Sequence, residues 1–185
     1  FETLLTLQTR AGRWEAARDT LAAATRRNLL PAARVQRHRG AVLYELSIAA
    51  AHAGNRRRAL SLAATAQDLL PDIAAAAVRH ARLLIAEDRR RAARRVVEAA
   101  WRKAPHPELA ALWSELGGGV PALELVAWTE KLAAHNPAAP ETAFARAEAA
   151  LAAQLWGEAR RHLGEAIAAA PDAAPRRLCL MMARL

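Results

Sequence analysis

Small and apolar residues recur along the chain at the spacing of amphipathic helices, and these helices recur in pairs. After the turn at Gly54, Ala59, Ala63 and Ala66 follow at intervals of four and three residues, which places them on one helical face. Pro71 closes this helix, because proline cannot continue one. Small side chains let two antiparallel helices approach closely, so the pattern predicts a helical hairpin.

The hairpin pattern returns with Asp88 at the turn, followed by Val97, Ala100 and Pro105. A period of about 34 residues with this content is typical of the tetratricopeptide repeat. The sequence therefore predicts an all-α fold, a right-handed α-solenoid of about five tetratricopeptide-like hairpins in one domain, 1–185. The expected units are residues 1–31, 32–71, 72–105, 106–137 and 138–171, followed by a capping helix at 174–185 in which Leu178, Met181, Met182 and Leu185 cover the exposed end of the stack.

Three features depart from the plain repeat. Residues 32–52 read as one helix of roughly six turns, which is long for this repeat type. The glycines at 117–119 lack the lysine and serine or threonine of a phosphate-binding loop, so they predict a longer connection or a hinge. Trp14 and Trp156 occupy the same repeat place, and we expect both to wedge between paired helices.

Composition adds positive charge to this helical pattern. The formal net charge is +9, and the 27 basic residues include only two lysines. An excess of arginine and alanine can reflect genomic base composition as well as function, yet the charge favours anionic neighbours such as acidic proteins, lipid headgroups or nucleic acid.

Candidate chemistry is sparse. The six histidines are scattered and there is one cysteine, so no nucleophile–base set, metal cluster, disulfide or haem-attachment motif is formed. The sequence therefore predicts no enzyme activity, no cofactor and no metal. No apolar run reaches the ~18–20 residues needed to span a bilayer. Because the chain opens on Phe1, we expect it to be a piece of a longer protein.

The predicted solenoid has a candidate partner groove on its concave side. Its side chains, contributed by the first helix of successive hairpins, would be apolar in the middle and basic at one side, which suits an extended segment or a helix of a partner. The alternative is that neighbouring helices of the same chain cover them. The expected groove residues are Tyr44, Ile48, His52, Val78, Arg82, Ile85, Phe144 and Glu148.

Two arginine triplets form a second candidate surface, the basic ridge, on the edge where paired helices meet. An anionic membrane would attract such a ridge by about 1 kcal/mol per nearby residue, and salt would screen the attraction. The alternative is a solvated turn edge. Arginines interleaved with stacking aromatic residues are absent, so nucleic acid is not favoured. The ridge residues are Arg56, Arg57, Arg58, Arg89, Arg90 and Arg91.

Several pieces occur in an order that resembles one family. They are the leucines, glycine and tryptophan of residues 4–14, W-x-x-x-P-H-P-E-L at 101–109, Asn136-Pro137, W-G-E-A-R at 156–160 followed by His162-Leu163, and a final arginine-leucine helix. Together they resemble the C-terminal tetratricopeptide region of the proteobacterial HemY proteins associated with haem biosynthesis. The resemblance implies an inner-membrane protein, anchored by a hydrophobic N-terminal part outside this chain, with this region on the cytoplasmic side. It implies no catalytic residues.

The leading hypothesis is a non-catalytic protein–protein interaction scaffold, whose partners, by the same resemblance, are enzymes of the late haem pathway. One alternative is a haem or tetrapyrrole carrier that uses His52 or His80. Another is a generic peptide-binding repeat adaptor unrelated to haem.

Overall fold

The chain is helical throughout the part that the structure describes. The structure is a computed structural model, and it describes residues 1–169 and 180–183, which contain no strand. The prediction of an all-α fold is therefore confirmed for these residues. The helices are α1 (Glu2–Arg10), α2 (Trp14–Arg26), α3 (Ala32–His52), α4 (Arg56–Leu69), α5 (Ala74–Ala86), α6 (Arg90–Lys103), α7 (Pro107–Gly117), α8 (Ala122–Ala133), α9 (Pro140–Ala152) and α10 (Trp156–Ala169).

The chain divides into two compact units, Phe1–Ala93 and Arg94–Leu185, and each is described by itself. In the first unit α1 packs on α2, α2 on α3, α3 on α4 and α4 on α5. In the second unit α7 packs on α8, α8 on α9 and α9 on α10, with a smaller contact between α7 and α9. Most of this packing joins helices that are adjacent in the sequence.

Four helix pairs are closed by the same kind of turn. Each turn holds one residue with a positive φ, a conformation that glycine adopts readily and other residues rarely. These residues are Gly12 (66°), Gly54 (75°), Asp88 (57°) and Gln154 (59°). The next residue donates its N–H to the carbonyl five positions earlier, which satisfies a carbonyl at the helix end. These bonds run from Arg13 to Gln8, Asn55 to Ala50, Arg89 to Leu84 and Leu155 to Ala150, at 2.8–2.9 Å.

The second helices of these pairs bury a face of small residues at the expected spacing. In α2, α4 and α10 the residues at intervals of four and three are at most 3% exposed: Ala17, Leu21, Ala24, Ala59, Ala63, Ala66, Ala159, Leu163 and Ala166. In the first unit Leu5, Val42, Leu43 and Leu46 complete a core with the α2 and α4 faces. In the second unit α9 and α10 share a core that also includes Met181.

Two expectations about packing side chains fail. Trp14 is half-buried against the first core, but Trp156, at the equivalent first position of α10, is 48% exposed. Within the expected capping helix, Met181 is buried, whereas Met182 is 47% exposed. Leu178, Leu185 and most of the remaining range 174–185 lie outside the described residues.

Two stacked tryptophans join α7 to α8. The rings of Trp113 and Trp128 have centroids 4.7 Å apart and are inclined by 16°. Trp113 Nε1 donates to the Trp128 carbonyl at 2.9 Å, and Trp128 Nε1 donates to the Trp113 carbonyl at 2.8 Å. The Arg94 guanidinium carbon lies 4.6 Å and the Lys131 ammonium nitrogen 5.1 Å from the Trp128 centroid, within range for cation–π attraction.

The glycine run is explained by this hairpin. Gly117 is the last residue of α7, and a Cβ added there would lie 3.2 Å from the Trp128 ring. Gly118 and Gly119 follow with φ of 75° and 76° in the connection to α8.

Candidate partner-binding groove

The first unit carries an open groove lined by α1, α3 and α5. Its volume is about 390 Å³. Leu5 and Thr9 of α1, Tyr44 of α3 and Ala75 of α5 are among its lining residues. These three helices are the first helices of successive predicted hairpins, the helices that were expected to line a groove.

The walls of this groove are mainly apolar. Tyr44 is half-buried and packs against the first core while also lining the groove. Ile73, just before α5, is 39% exposed and contributes a second large apolar side chain. Ala41 and Ala75 are exposed and small, which leaves room between the larger side chains. The groove can therefore accept an apolar side chain of a partner.

Two arginines near the start of α3 form ion pairs beside the groove. Arg37 pairs with Asp72 at 2.7 Å, and Arg34 pairs with Glu2 of α1 at 3.4 Å. All four side chains are largely exposed, so each pair stabilises the fold by at most about 1 kcal/mol. They link α3 to its neighbours and remove two arginines from the electropositive start of this helix.

The structure brings only Tyr44 of the predicted groove set into this groove. Ile48, Val78 and Ile85 are half-buried on α3 and α5, and His52 and Arg82 are exposed on the same helices. None of these five lines the 390 Å³ groove.

The two predicted groove residues of the second unit differ from each other. Glu148 is exposed and lines a small cavity of about 70 Å³ with Trp113 and Thr129. The placement of Phe144 on a groove surface was wrong, because its side chain is 2% exposed inside the core shared by α9 and α10. A position taken from the repeat register alone does not reveal which way α9 turns its largest apolar side chain.

Sequence reasoning missed a polar link across the first unit. Ser47 is fully buried, and its hydroxyl donates to the Ala59 carbonyl at 3.0 Å. Arg79 of α5 donates from Nε to the Ser47 hydroxyl at 3.2 Å and from Nη2 to the Ser47 carbonyl at 3.0 Å. This link holds α3 to both α4 and α5. The only signal in the sequence is a serine within the apolar face of α3.

The two histidines considered as haem ligands lie away from the groove. His52 is exposed near the end of α3. His80 is half-buried, and its Nδ1 lies 2.5 Å from Gln67 Oε1. Burial lowers the pKa of His80 below its ordinary 6.5, while Asp68 acts in the opposite direction and Arg89 adds to the lowering. The neutral form of His80 is therefore favoured, and one of its ring nitrogens is already engaged.

The basic ridge lies at the first turns of α4 and α6, and its arginines are exposed. Neither first turn contains an acidic residue. The helix dipole places partial positive charge at these ends, so the arginines increase the local positive potential instead of offsetting it. Arg58 pairs with Glu15 of α2, which also binds Arg18 at 2.7 Å.

No protein-family model matches the sequence, and no curated protein matches it significantly. The likeness to HemY proteins therefore depends on the motifs quoted above. Within W-x-x-x-P-H-P-E-L the side chains have structural roles: Trp101 is fully buried, Pro107 starts α7, and the His106 ring accepts the Glu108 N–H at 3.3 Å as an N-cap. Among the described helices, none has the length and apolar character that crossing a membrane requires.

Proposed function

We propose that this chain is a non-catalytic scaffold of the tetratricopeptide solenoid type, and that the groove between α1, α3 and α5 binds an apolar segment of a partner protein. The observation that carries the proposal is the groove itself, a space of about 390 Å³ with Tyr44 in its wall. The four matching hairpin turns support the repeat class, because a repeated unit places equivalent helices side by side.

Binding in this groove needs no chemistry beyond burial and positioning. Covering one leucine-sized side chain of the partner contributes about 1.5–3 kcal/mol. The groove is also lined by His38 and Glu45, which offer polar contacts to the partner backbone at its edge. Such a combination of apolar wall and polar edge is typical of peptide recognition by helical grooves.

The HemY likeness supports a more specific role. It favours attachment to the bacterial inner membrane with this region on the cytoplasmic side, and enzymes of late haem biosynthesis as the partners. A generic adaptor would bind in the same groove but would capture proteins of other pathways, so the identity of the captured protein separates the two roles.

Site-specific photo-crosslinking of the full-length protein in its own cells tests the proposal. A photo-crosslinking residue at position 44 should join the protein to a discrete set of partners enriched in haem-pathway enzymes. Position 57, an exposed arginine of α4 outside the groove, is the control. Position 44 giving no partner, or only the products seen from position 57, would refute the groove as the binding site.

Substitutions on the groove surface give a second, independent test. Ala75→Glu places a charge in the apolar groove and should weaken partner capture by about tenfold or more, since an unpaired charge resists burial. Ala49→Glu, at an exposed α3 position outside the groove, should leave capture unchanged. Because Ala75 is exposed, helical content and melting temperature should be the same in both variants. Equal capture by the two would contradict the proposal.

A further inference from the structure

The first two turns of α3 are additional to the repeat. Ala59 lies 42 residues after its counterpart Ala17, whereas Ala93 lies 34 residues after Ala59, so the second hairpin contains eight extra residues. Residues 32–39, the part of α3 that precedes Gly40, have this length. The insertion therefore accounts for the unusual length of α3.

These inserted turns bury almost nothing against the rest of the first unit. Val35 is half-buried, and the other residues from 32 to 39 are exposed. Helices of this length are normally stabilised by packing one apolar face. Here Val35 instead lines two cavities, one of about 460 Å³ towards α2 and one of about 420 Å³ towards Leu30 and Leu69.

The larger cavity, which we name the α2–α3 groove, has an apolar floor. Leu21, Val42 and Leu43 line it and belong to the first core. Its volume of about 460 Å³ falls within the range of roughly 300–1,000 Å³ that is usual for small-molecule sites.

The charges that line the α2–α3 groove have one sign. Arg18, Arg26 and Arg39 line it, and no acidic residue does. Arg18 is neutralised by Glu15 at 2.7 Å and Asp19 at 3.3 Å. In the described part of the chain, Arg26 and Arg39 have no carboxylate partner. The groove therefore combines an apolar floor with two cations that lack a counter-charge.

We propose that the α2–α3 groove binds an aliphatic carboxylate of the fatty-acid class, with the alkyl chain on the apolar floor and the carboxylate held by Arg26 and Arg39. A guanidinium presents a planar fork of donors that matches a carboxylate. The hydroxyl of Thr25, the remaining polar side chain of the lining, already donates to the Leu21 carbonyl at 2.8 Å. The groove thus offers few hydrogen-bond partners for the backbone of an extended peptide. An alkyl chain has no N–H or C=O groups and needs no such partners.

Calorimetric titration of the chain with dodecanoate, below its micelle concentration, tests this assignment. The wild-type chain should bind one dodecanoate in the groove. Arg26→Glu/Arg39→Glu should weaken binding by about tenfold or more, because charge-assisted hydrogen bonds to the carboxylate are lost. The matched control Arg27→Glu/Arg160→Glu makes the same change in net charge outside the groove and should leave the affinity within about twofold.

Two further measurements separate the alkyl-chain site from simple anion attraction. Ala22→Trp, at an exposed position that lines the groove, should abolish dodecanoate binding while circular dichroism stays unchanged. Decanoate should bind about fivefold more weakly than dodecanoate, because two methylene groups fewer are partly buried.

The proposal is overturned if dodecanoate does not bind, if the two double variants bind it equally, or if Ala22→Trp has no effect. Equal affinities for decanoate and dodecanoate would also contradict it. An acidic amphipathic peptide that binds where dodecanoate does not would assign the groove to a protein partner instead.

Discussion

Gly54 and Gln154 occupy the same place in two hairpin turns, with φ of 75° and 59°. Glycine adopts this left-handed conformation without steric cost, whereas a residue with a Cβ pays roughly 1–2 kcal/mol. Position 154 therefore carries strain that position 54 avoids, although the two turns are closed by equivalent hydrogen bonds.

Exchanging the residue types should reveal this difference. A Cβ at position 54 would meet nothing within 4 Å, so Gly54→Ala should destabilise the fold by about 1–2 kcal/mol through backbone strain alone. Gln154→Gly should stabilise it by up to about 1 kcal/mol. Urea denaturation measures both changes.

Gly164→Ala is the control for this pair. It also adds a Cβ in open space, but within the helical backbone of α10, and should stabilise by about 0.5–1 kcal/mol. If Gly54→Ala leaves the free energy of unfolding unchanged, the turn can relax away from the left-handed conformation.

At the residue scale the sequence predicts some positions well. Gly54 was predicted at a turn because glycine itself signals the conformation. Asp88 is found only through the repeat, since aspartate is common in many contexts. Phe144 was misplaced because a register assigns an average position, while the direction of one side chain depends on the neighbours that surround it.

At the scale of elements, the α7–α8 hairpin is held differently from the alanine-lined pairs. Trp113 and Trp128 stack, and each indole N–H donates to the other residue's carbonyl. The two hydrogen bonds fix the register of the helices, and Gly117 allows the close approach of the Trp128 ring. This hairpin therefore relies on two large side chains where the others use small ones.

Truncating this pair should destabilise the second unit strongly. Trp113→Ala should cost about 3–5 kcal/mol, as expected for removal of a large buried ring. Trp128→Phe keeps an aromatic ring but loses the indole donor, and should cost about 1–2 kcal/mol. Thermal and urea denaturation provide the measurement.

A double-mutant cycle with Trp113→Phe gives the coupling between the two rings. We expect an interaction energy of about 0.5–3 kcal/mol, because the rings share contacts and hydrogen bonds. Strictly additive effects would mean that the stack does not hold the hairpin together.

The helices themselves could be predicted from the sequence, since the spacing of small residues and the turn signals both depend on local geometry. The tryptophan pair could not. Its two members are 15 residues apart on different helices, so their contact depends on how the glycine connection sets one helix against the other.

For the whole molecule, the excess of positive charge is the broadest feature. The formal net charge is +9, and the ridge concentrates arginines at two helix N-termini, where the dipole adds to their potential. Close to a surface of anionic lipid, each arginine should contribute about 1 kcal/mol of attraction.

Sedimentation with anionic vesicles tests whether the ridge or the overall charge is responsible. Arg56→Glu/Arg57→Glu should reduce binding at low salt by tenfold or more, at about 1 kcal/mol for each arginine removed. Binding by the wild-type chain should fall as salt is added. Arg27→Glu/Arg160→Glu changes the net charge equally outside the ridge and should have a smaller effect. Equal losses in the two variants would assign the attraction to net charge alone.

The groove was only partly predictable at this scale. The register placed Tyr44 on a groove surface, and Tyr44 does line this groove, but Ile73 and Ala75 were missed. They lie at the start of α5, and the repeat pattern does not specify the path of the chain from α4 into it. The eight-residue insertion in α3 was visible as excess length, yet nothing in its composition shows that it borders two cavities.

The packing of most helices on the next one along the chain has a consequence for how the protein is made. Contacts between sequence neighbours give a low contact order, and chains of that kind fold quickly. Each hairpin can close soon after its second helix leaves the ribosome, without waiting for distant segments to be synthesised. Links that skip a helix, such as the contact of α7 with α9 and the hydrogen bonds from Arg79 of α5 to Ser47 of α3, form only once the later helix has been made.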